Sequence, residues 1–274
     1  MKNELKSFFE SKKIEYFSIL PYSAAREIRP DIMAREDFTP RSVIIFLVPY
    51  YSGECSNISR YAASRDYHIY LKEIGNRLSS FLKERIPEIS CRGYGDHSPI
   101  DERDAAAKCA LGVIGDNGLL INEKYGSYVF IADLVTDAPA SLFGEYLQSE
   151  PEGCEHCAAC ISACPTGRLA DRTAPCLSAV TQKRGVLSDD EVALIKRTGV
   201  VWGCDACQEV CPHNASPIRT PIEFFHEARI DGLTKEMLLD MSDDEFSERA
   251  FAWRGKKTLL RNLDIASIKN PDEK

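Results

Sequence analysis

Gly153-Cys154-Glu155-His156-Cys157-Ala158-Ala159-Cys160-Ile161-Ser162-Ala163-Cys164-Pro165 and Gly203-Cys204-Asp205-Ala206-Cys207-Gln208-Glu209-Val210-Cys211-Pro212 are the two stretches that decide this chain. Two-residue gaps let successive sulfurs converge on one face of a small cubane. Cys-x2-Cys-x2-Cys-x3-Cys-Pro is the run in which three thiolates hold one 4Fe-4S cluster while the fourth reaches a second. The proline after each motif ends the loop and is expected to leave Cys164 or Cys211 at the start of a helix. The second motif is one cysteine short, and Cys176, lying between the two, is the candidate for the missing ligand. In the crossed pattern Cys154, Cys157, Cys160 and Cys211 hold one cluster, and Cys164, Cys176, Cys204 and Cys207 hold the other. Paired Cys-x2-Cys motifs also bind zinc, but not at this spacing.

Cys55, Cys91 and Cys109 have no partner at ligand spacing and read as core filler. His156 and His213 lie inside the cluster loops and read as local hydrogen-bonding groups. The chain has 11 cysteines in 274 residues and no apolar leader in its opening Met-Lys-Asn-Glu-Leu-Lys, so reduced, metal-binding thiols in the cytoplasm are expected rather than disulfides. The longest apolar run, Val43 to Val48, is far too short to span a bilayer. A net charge of -8 disfavours a surface that tracks nucleic acid everywhere, while leaving room for a local basic patch.

Working outward from the cysteines, the spacing of apolar residues predicts a short helix over residues 3–13 and strands over 15–20 and 42–48. Tyr67, Leu71, Ile74, Leu78 and Phe81 mark one face of a long helix within 57–82. A helix over about 101–111, a turn carrying Gly112, Gly115 and Gly118, and strands over 119–122 and 127–134 follow. This alternation makes residues 1–150 an α/β domain. Composition shifts at Pro151-Glu152-Gly153, giving a cysteine-rich domain over 151–218 and a helical segment over 219–274. In that segment Met237, Leu238, Leu239, Phe246 and Leu259 are expected to pack.

Outside the cysteines, three stretches occur in order: Tyr61-Ala62-Ala63-Ser64-Arg65-Asp66-Tyr67-His68, Asp96-His97-Ser98-Pro99-Ile100-Asp101-Glu102-Arg103, and Leu111-Gly112-Val113-Ile114-Gly115-Asp116-Asn117-Gly118-Leu119-Leu120-Ile121. With Tyr125-Gly126-Ser127, Cys176-Leu177-Ser178 and Gly203-Cys204-Asp205-Ala206-Cys207-Gln208, this series resembles the epoxyqueuosine reductase family from about residue 40 to Leu259-Leu260-Arg261-Asn262. The resemblance implies a nitroreductase-like α/β domain that binds base-off cobalamin. It further implies an α+β bacterial ferredoxin-like domain with two 4Fe-4S clusters, and a short helical C-terminal segment in place of the helical repeats of longer members. It also implies reduction of epoxyqueuosine to queuosine in tRNA, a flavodoxin- or ferredoxin-type electron donor, a monomer and no membrane.

By the same resemblance Asp96 is the proton donor, and Arg65, Arg103, Ile114, Asn117, Ser127 and Ser178 contact the cobalamin. A free aspartate, with a pKa near 3.9, would be only about 0.1% protonated at neutral pH, so burial is expected to raise its proton affinity. From residue types alone, Asp96 before Ser98 and Pro99 also reads as the start of a helix or turn. Arg65 and His68 read equally as core or salt-bridge residues, and His97 adjoins Asp96 closely enough to tune it. Where the family carries Trp and Lys in its glycine turn, this chain has Val113 and Asp116, an anion in place of a cation. Basic positions for RNA are Lys183, Arg184, Lys196, Arg197, Arg254, Lys256, Lys257 and Arg261, which also read as a solvated face. Two other functions fit the same residues: a cobalamin-dependent reductase of a small molecule, and a double-cluster electron carrier without cobalamin.

Overall fold

The sixfold apolar run from Val43 to Val48 is the centre of the fold. In the computed structural model, which describes residues 1–144 and 153–267, it forms strand β2 (Ser42–Pro49), buried at all eight positions. The expected domain boundary at 150/151 and the end of the tail near Ile268 lie outside the described residues. The chain packs as two units: residues 1–50, 68–156 and 216–222 form a sheet unit, and residues 51–67, 157–215 and 223–274 form a cysteine unit.

The sheet unit contains strands β1 (Phe17–Pro21), β2, β3 (Cys91–Gly95) and β6 (Val129–Thr136), ordered β1-β2-β6-β3, with a separate hairpin of β4 (Val113–Ile114) and β5 (Leu120–Ile121). Every pair is antiparallel, with Ser42 opposite Thr136 and Pro49 opposite Val129 at the two ends of the central pair. The sheet therefore departs from the parallel α/β arrangement that alternating helices and strands suggest. Its run of apolar residues is continuous because both faces are covered. Phe46 packs against Phe9 of helix α1 (Lys2–Ser11), with ring centroids 5.1 Å apart. Val43, Ile45 and Leu47 join Ala105, Ala106 and Cys109 in the core of the opposite face. Cys109 is thus the core filler its isolation predicts.

The remaining helices of this unit are α2 (Pro30–Met33), α3 (Tyr67–Arg85), α4 (Glu102–Lys108) and α5 (Ala140–Phe143). Helix α3 buries Leu71, Ile74 and Leu78 as expected, but it begins at Tyr67; residues 57–66 are not part of it. Strand β3, Cys-Arg-Gly-Tyr-Gly, has no apolar alternation and was not expected from its residues. Its glycines serve packing: a Cβ on Gly93 would stand 3.0 Å from the Cα of Gly75 on α3.

The cysteine unit is built from short helices: α6 (Ala159–Ala163), α7 (Leu177–Thr181), α8 (Asp189–Thr198), α9 (Ala206–Glu209), α10 (Lys235–Asp240), α11 (Asp243–Ser247) and α12 (Lys256–Ala266). No strand lies among residues 153–218, so the β component expected of an α+β ferredoxin-like domain does not form there; cluster loops and single helical turns take its place. A small core of Leu177, Val180, Leu187, Leu194 and Ile195 lies beside Cys204. Trp202 is fully buried, and its indole N–H donates to the Tyr61 hydroxyl at 2.8 Å. In the C-terminal helices Leu238, Phe246 and Leu259 are buried, whereas Met237 and Leu239 are 38% and 58% exposed. Five- and six-residue helices present too narrow a face to bury three consecutive apolar positions.

Candidate cluster loops and proton-donor loop

In the cysteine motif the backbone is bent by two non-glycine residues in the left-handed region, His156 (φ 53°) and Ala158 (φ 59°). Left-handed residues interleaved with ordinary ones turn successive N–H groups toward one side, the arrangement that forms anion-binding concavities at many iron–sulfur sites. Helix α6 follows Ala158 and carries Cys160. Cys164 closes this helix instead of starting one, while Cys211 does start a short 3-10 turn, Pro212–Asn214. Cys176 caps the N-terminus of α7, and Cys207 lies on α9. All eight cysteines of the expected ligand set are free thiols.

Their electrostatics shows which sulfurs meet within the cysteine unit. Burial, joined by the nearby thiols of Cys176 and Cys164 and the Asp205 carboxyl, pushes the Cys204 thiol up to about 11. Burial and the neighbouring Cys204, Asp205, Cys176 and Cys160 push Cys207 up to about 12. Cys164 is the opposite case. Burial works against ionisation, but the Thr166 hydroxyl and the backbone N–H groups of Thr166, Leu169 and Arg168 together hold its thiol below the ordinary range. Cys160, Cys164, Cys176, Cys204 and Cys207 thus form one group of mutually repelling acids, which a cation would relieve. The loop between Cys204 and Cys207 is fixed by a buried ion pair: Arg60 contacts the Asp205 carboxylate at 3.2 Å and also reaches Glu209 at 2.7 Å.

In the sheet unit, the Asp116 carboxylate lies 2.8 Å from Nδ1 of His156, whose ring is 4.0 Å from the Cys154 sulfur. The anion that replaces the family's lysine therefore pairs with a histidine of the cluster loop. Arg103 on α4 donates to the Gly118 carbonyl at 2.7 Å and ties the helix to the β4–β5 hairpin. Ile114 is exposed on that hairpin, Asn117 accepts from the Leu119 N–H at 3.1 Å, and Ser127 is buried. Gly112 is there because a Cβ would meet the Ile121 carbonyl oxygen at 2.4 Å, a demand of the hairpin itself. Arg65 and Ser178 belong to the other unit. There Arg65 pairs with Glu248 at 2.9 Å and Glu227 at 3.6 Å, the salt-bridge role open to it from the sequence, and Ser178 accepts from Gln182 at 3.0 Å.

Asp96 occupies the loop between β3 and Asp101, the N-cap of α4, and is itself left-handed (φ 64°). Its backbone N–H donates to Oε1 of Glu102 at 3.2 Å, and its carboxylate stands 3.7 Å from Nε2 of His68. The side chain is 59% exposed, so the burial expected to keep it protonated is not supplied by this chain. Two carboxyls whose ionisation burial opposes lie behind it. Glu102 is pushed up to about 9 by burial, by the Asp133 carboxyl and by Asp96. Asp133, on β6, has no exposed surface, and burial pushes it up to about 7. The buried Ser98 hydroxyl offsets part of that push without reaching hydrogen-bond geometry, and neither Asp133 oxygen has a hydrogen-bond partner. Neither residue was picked out from the sequence as a site residue, although an aspartate inside the apolar run Val129-Phe130-Ile131-Ala132-Asp133-Leu134-Val135 was a legible signal.

Several basic residues considered for RNA are engaged locally. Lys183 pairs with Glu191 at 2.9 Å, while Arg184, Arg197 and Lys256 donate to the carbonyls of Trp253, Pro165 and Met241.

Thiol loops with ferredoxin spacing, in a chain that also carries an antiparallel sheet unit, define a double-cluster iron–sulfur protein, and residues 153–214 match the family model described as a 4Fe-4S double cluster binding domain. Residues 38–97 match the model for epoxyqueuosine reductase QueG, DUF1730. The epoxyqueuosine reductase of Leadbetterella byssophila is 31% identical over 238 residues, 84% of this chain and 75% of that protein. That of Staphylococcus aureus is 29% identical over 76% of this chain and 55% of its own length. The chain belongs to the epoxyqueuosine reductase family. It spans 53–61% of the length of four of the curated relatives it matches. The fold is also that of solved epoxyqueuosine reductases. The Streptococcus thermophilus structure gives a TM-score of 0.75 at 23% identity, and one with a tRNA-Tyr stem loop gives 0.76 at 24%, each covering 97% of this chain and 80% of that one. Among the described residues no helix is long and apolar enough to cross a membrane.

Proposed function

We propose that this chain is a cobalamin- and iron–sulfur-dependent reductase that converts epoxyqueuosine to queuosine in tRNA. The observation that carries this reading is the joint presence, in one family member, of the double-cluster thiol set and of Asp96 exposed on its loop before α4. The donor chemistry fits the clusters: soft thiolates, one of them already held toward ionisation, in loops whose left-handed residues suit an anionic cluster. Cys154, Cys157, Cys160 and Cys211 would hold one cluster and Cys164, Cys176, Cys204 and Cys207 the other. The repulsion that Cys176 exerts on both Cys204 and Cys207 supports its place in the second set.

Residues of the sheet unit fit a cobalamin as well. Ile114 leaves apolar surface on a hairpin that Arg103 holds in place, and Asp96 is open to a ligand. When bound, the cobalamin would supply the low-potential centre through which electrons from a flavodoxin- or ferredoxin-type donor reach the epoxide. Reductive opening of an epoxide leaves an oxygen anion, and Asp96, exposed on its loop, would deliver a proton to it. His68, 3.7 Å away, would orient the Asp96 carboxyl.

The test is the queuosine content of tRNA from a strain lacking the gene. Accumulation of epoxyqueuosine, reversed by the wild-type gene and not by Asp96→Asn, is the expected result, and unchanged queuosine would overturn it. A second reading, reduction of a small molecule by the same centre, is favoured by Asp116 in place of the family's lysine and by the local engagement of Lys183, Arg184, Arg197 and Lys256.

A further inference from the structure

Asp96 presents a chemical difficulty. An exposed carboxyl gives up its proton at neutral pH, yet a donor has to hold one. Glu102, the first residue of the helix that follows, accepts the Asp96 backbone N–H at 3.2 Å and so braces a residue whose left-handed backbone is otherwise unfavourable. Asp133 approaches from the sheet, where it lies between Ile45 of β2 and Tyr94 of β3. It is completely buried and neither oxygen has a hydrogen-bond partner. An ionised carboxylate is not sustained in such surroundings, so the site retains a proton.

We propose that Glu102, backed by Asp133, is the positioning residue that both fixes the Asp96 loop and holds the proton Asp96 passes on. The proposal rests on Asp96 being the donor. In the step, the oxygen anion takes the Asp96 proton, the Asp96 carboxylate takes one from the Glu102 carboxylic acid, and the carboxylate left on Glu102 takes one from water. No electrons move, and the charge left by each transfer resides for a time on the Glu102–Asp133 pair. The groups that face the pair divide in sign. Arg29 favours ionisation of Glu102, while Asp96 and Asp133 oppose it. Tyr22 and Tyr94 face Asp133, and their own ionisation is pushed up by burial first and then by neighbouring acids, so they remain neutral.

The experiment is carboxyl NMR on the full chain with its clusters reconstituted and oxidised, labelled with 13C at glutamate and aspartate, in wild type, Glu102→Gln, Asp133→Asn and Asp96→Asn. Wild-type Glu102 should titrate well above neutrality, and both Asp133→Asn and Asp96→Asn should bring its midpoint down by about one pH unit, since each removes a like charge. In the loaded enzyme the alkaline limb of the turnover profile should move down with it in Asp133→Asn. Glu102→Gln keeps an acceptor for the Asp96 N–H, so amide exchange at Asp96 should stay near wild type while turnover falls at least about tenfold. Glu102→Ala should speed that exchange. An ordinary glutamate midpoint for Glu102, or full turnover in Glu102→Gln, overturns the proposal. Should Asp96→Asn remain active while Glu102 still titrates above neutrality, it is the role of Asp96 that fails. Should Glu102→Ala not fold, the Asp133→Asn titration decides alone.

Discussion

Two groups of acids are crowded together in this protein, one in each unit, and they are kept in different ways. Around Cys204 and Cys207 burial and neighbouring thiols oppose the ionisation of these two, and iron is the cation that makes their thiolates tolerable. Beneath Asp96, Glu102 and Asp133 suffer the same burial and like-charge repulsion and keep their protons instead. A third arrangement sits beside the cluster loop. Asp205 is as buried as the others, but Arg60, Ser59 and the Arg60 N–H compensate for much of the desolvation that pushes it up. Burial alone therefore does not tell what a buried acid does. The partner supplied with it does, whether metal, proton or guanidinium.

The sharpest way to break the comparison is to remove the metal. Chelation of iron, or Cys204→Ala, leaves the remaining thiols buried without a cation, and the cysteine unit should lose at least about 10 °C in Tm by calorimetry. Cys176→Ser should halve the iron content of anaerobically reconstituted protein. Full retention would exclude Cys176 from the ligand set. Next in size is Arg60→Met, which strands Asp205 in the interior and should cost about 3 kcal/mol in denaturant unfolding.

A smaller effect is expected from the protonated pair, and its sign is fixed. Because Asp133 and Glu102 bind protons more tightly folded than unfolded, their contribution is complete below the ordinary carboxylate range and is lost as pH rises through about 7 and about 9. Asp133→Asn should flatten that alkaline decline in a Tm series, and an unchanged slope would show that the pair ionises freely. Smallest of all, Asp116→Asn removes a largely exposed contact to His156 and should change stability by less than about 1 kcal/mol.

The two groups differed as much in legibility. Ferredoxin spacing is a local code: the cysteines of each motif, Cys154 to Cys164 and Cys204 to Cys211, follow one another at gaps of two or three residues that coordination geometry dictates. Glu102 and Asp133 are 31 positions apart and meet only because α4 starts just after β3 and β3 pairs with β6. Helix α3 and strand β2 were readable because long apolar periodicities outvote local noise. Strand β3 was not, since its two glycines, Gly93 and Gly95, stand in close approach to Gly75 and Leu71 of α3 and leave little side-chain pattern behind. The missing strands of the cluster segment are a related case, in which the expectation came from the family resemblance while loops bent by His156 and Ala158 carry the geometry here.

The interleaving of the two units has a consequence for biosynthesis. Residues 216–222 return to the sheet unit, where the Thr220 hydroxyl donates at 2.6 Å to the carbonyl of Pro49, the last residue of β2. Although the strands of that unit are complete by Thr136, the unit itself stays unfinished on the ribosome until every cysteine of both motifs has been translated, and neither half can be cut from the gene as a contiguous cassette. Iron delivery and closure of the sheet unit by residues 216–222 fall in the same interval of chain growth, so a shortage of iron should be felt in the folding yield of that unit as well.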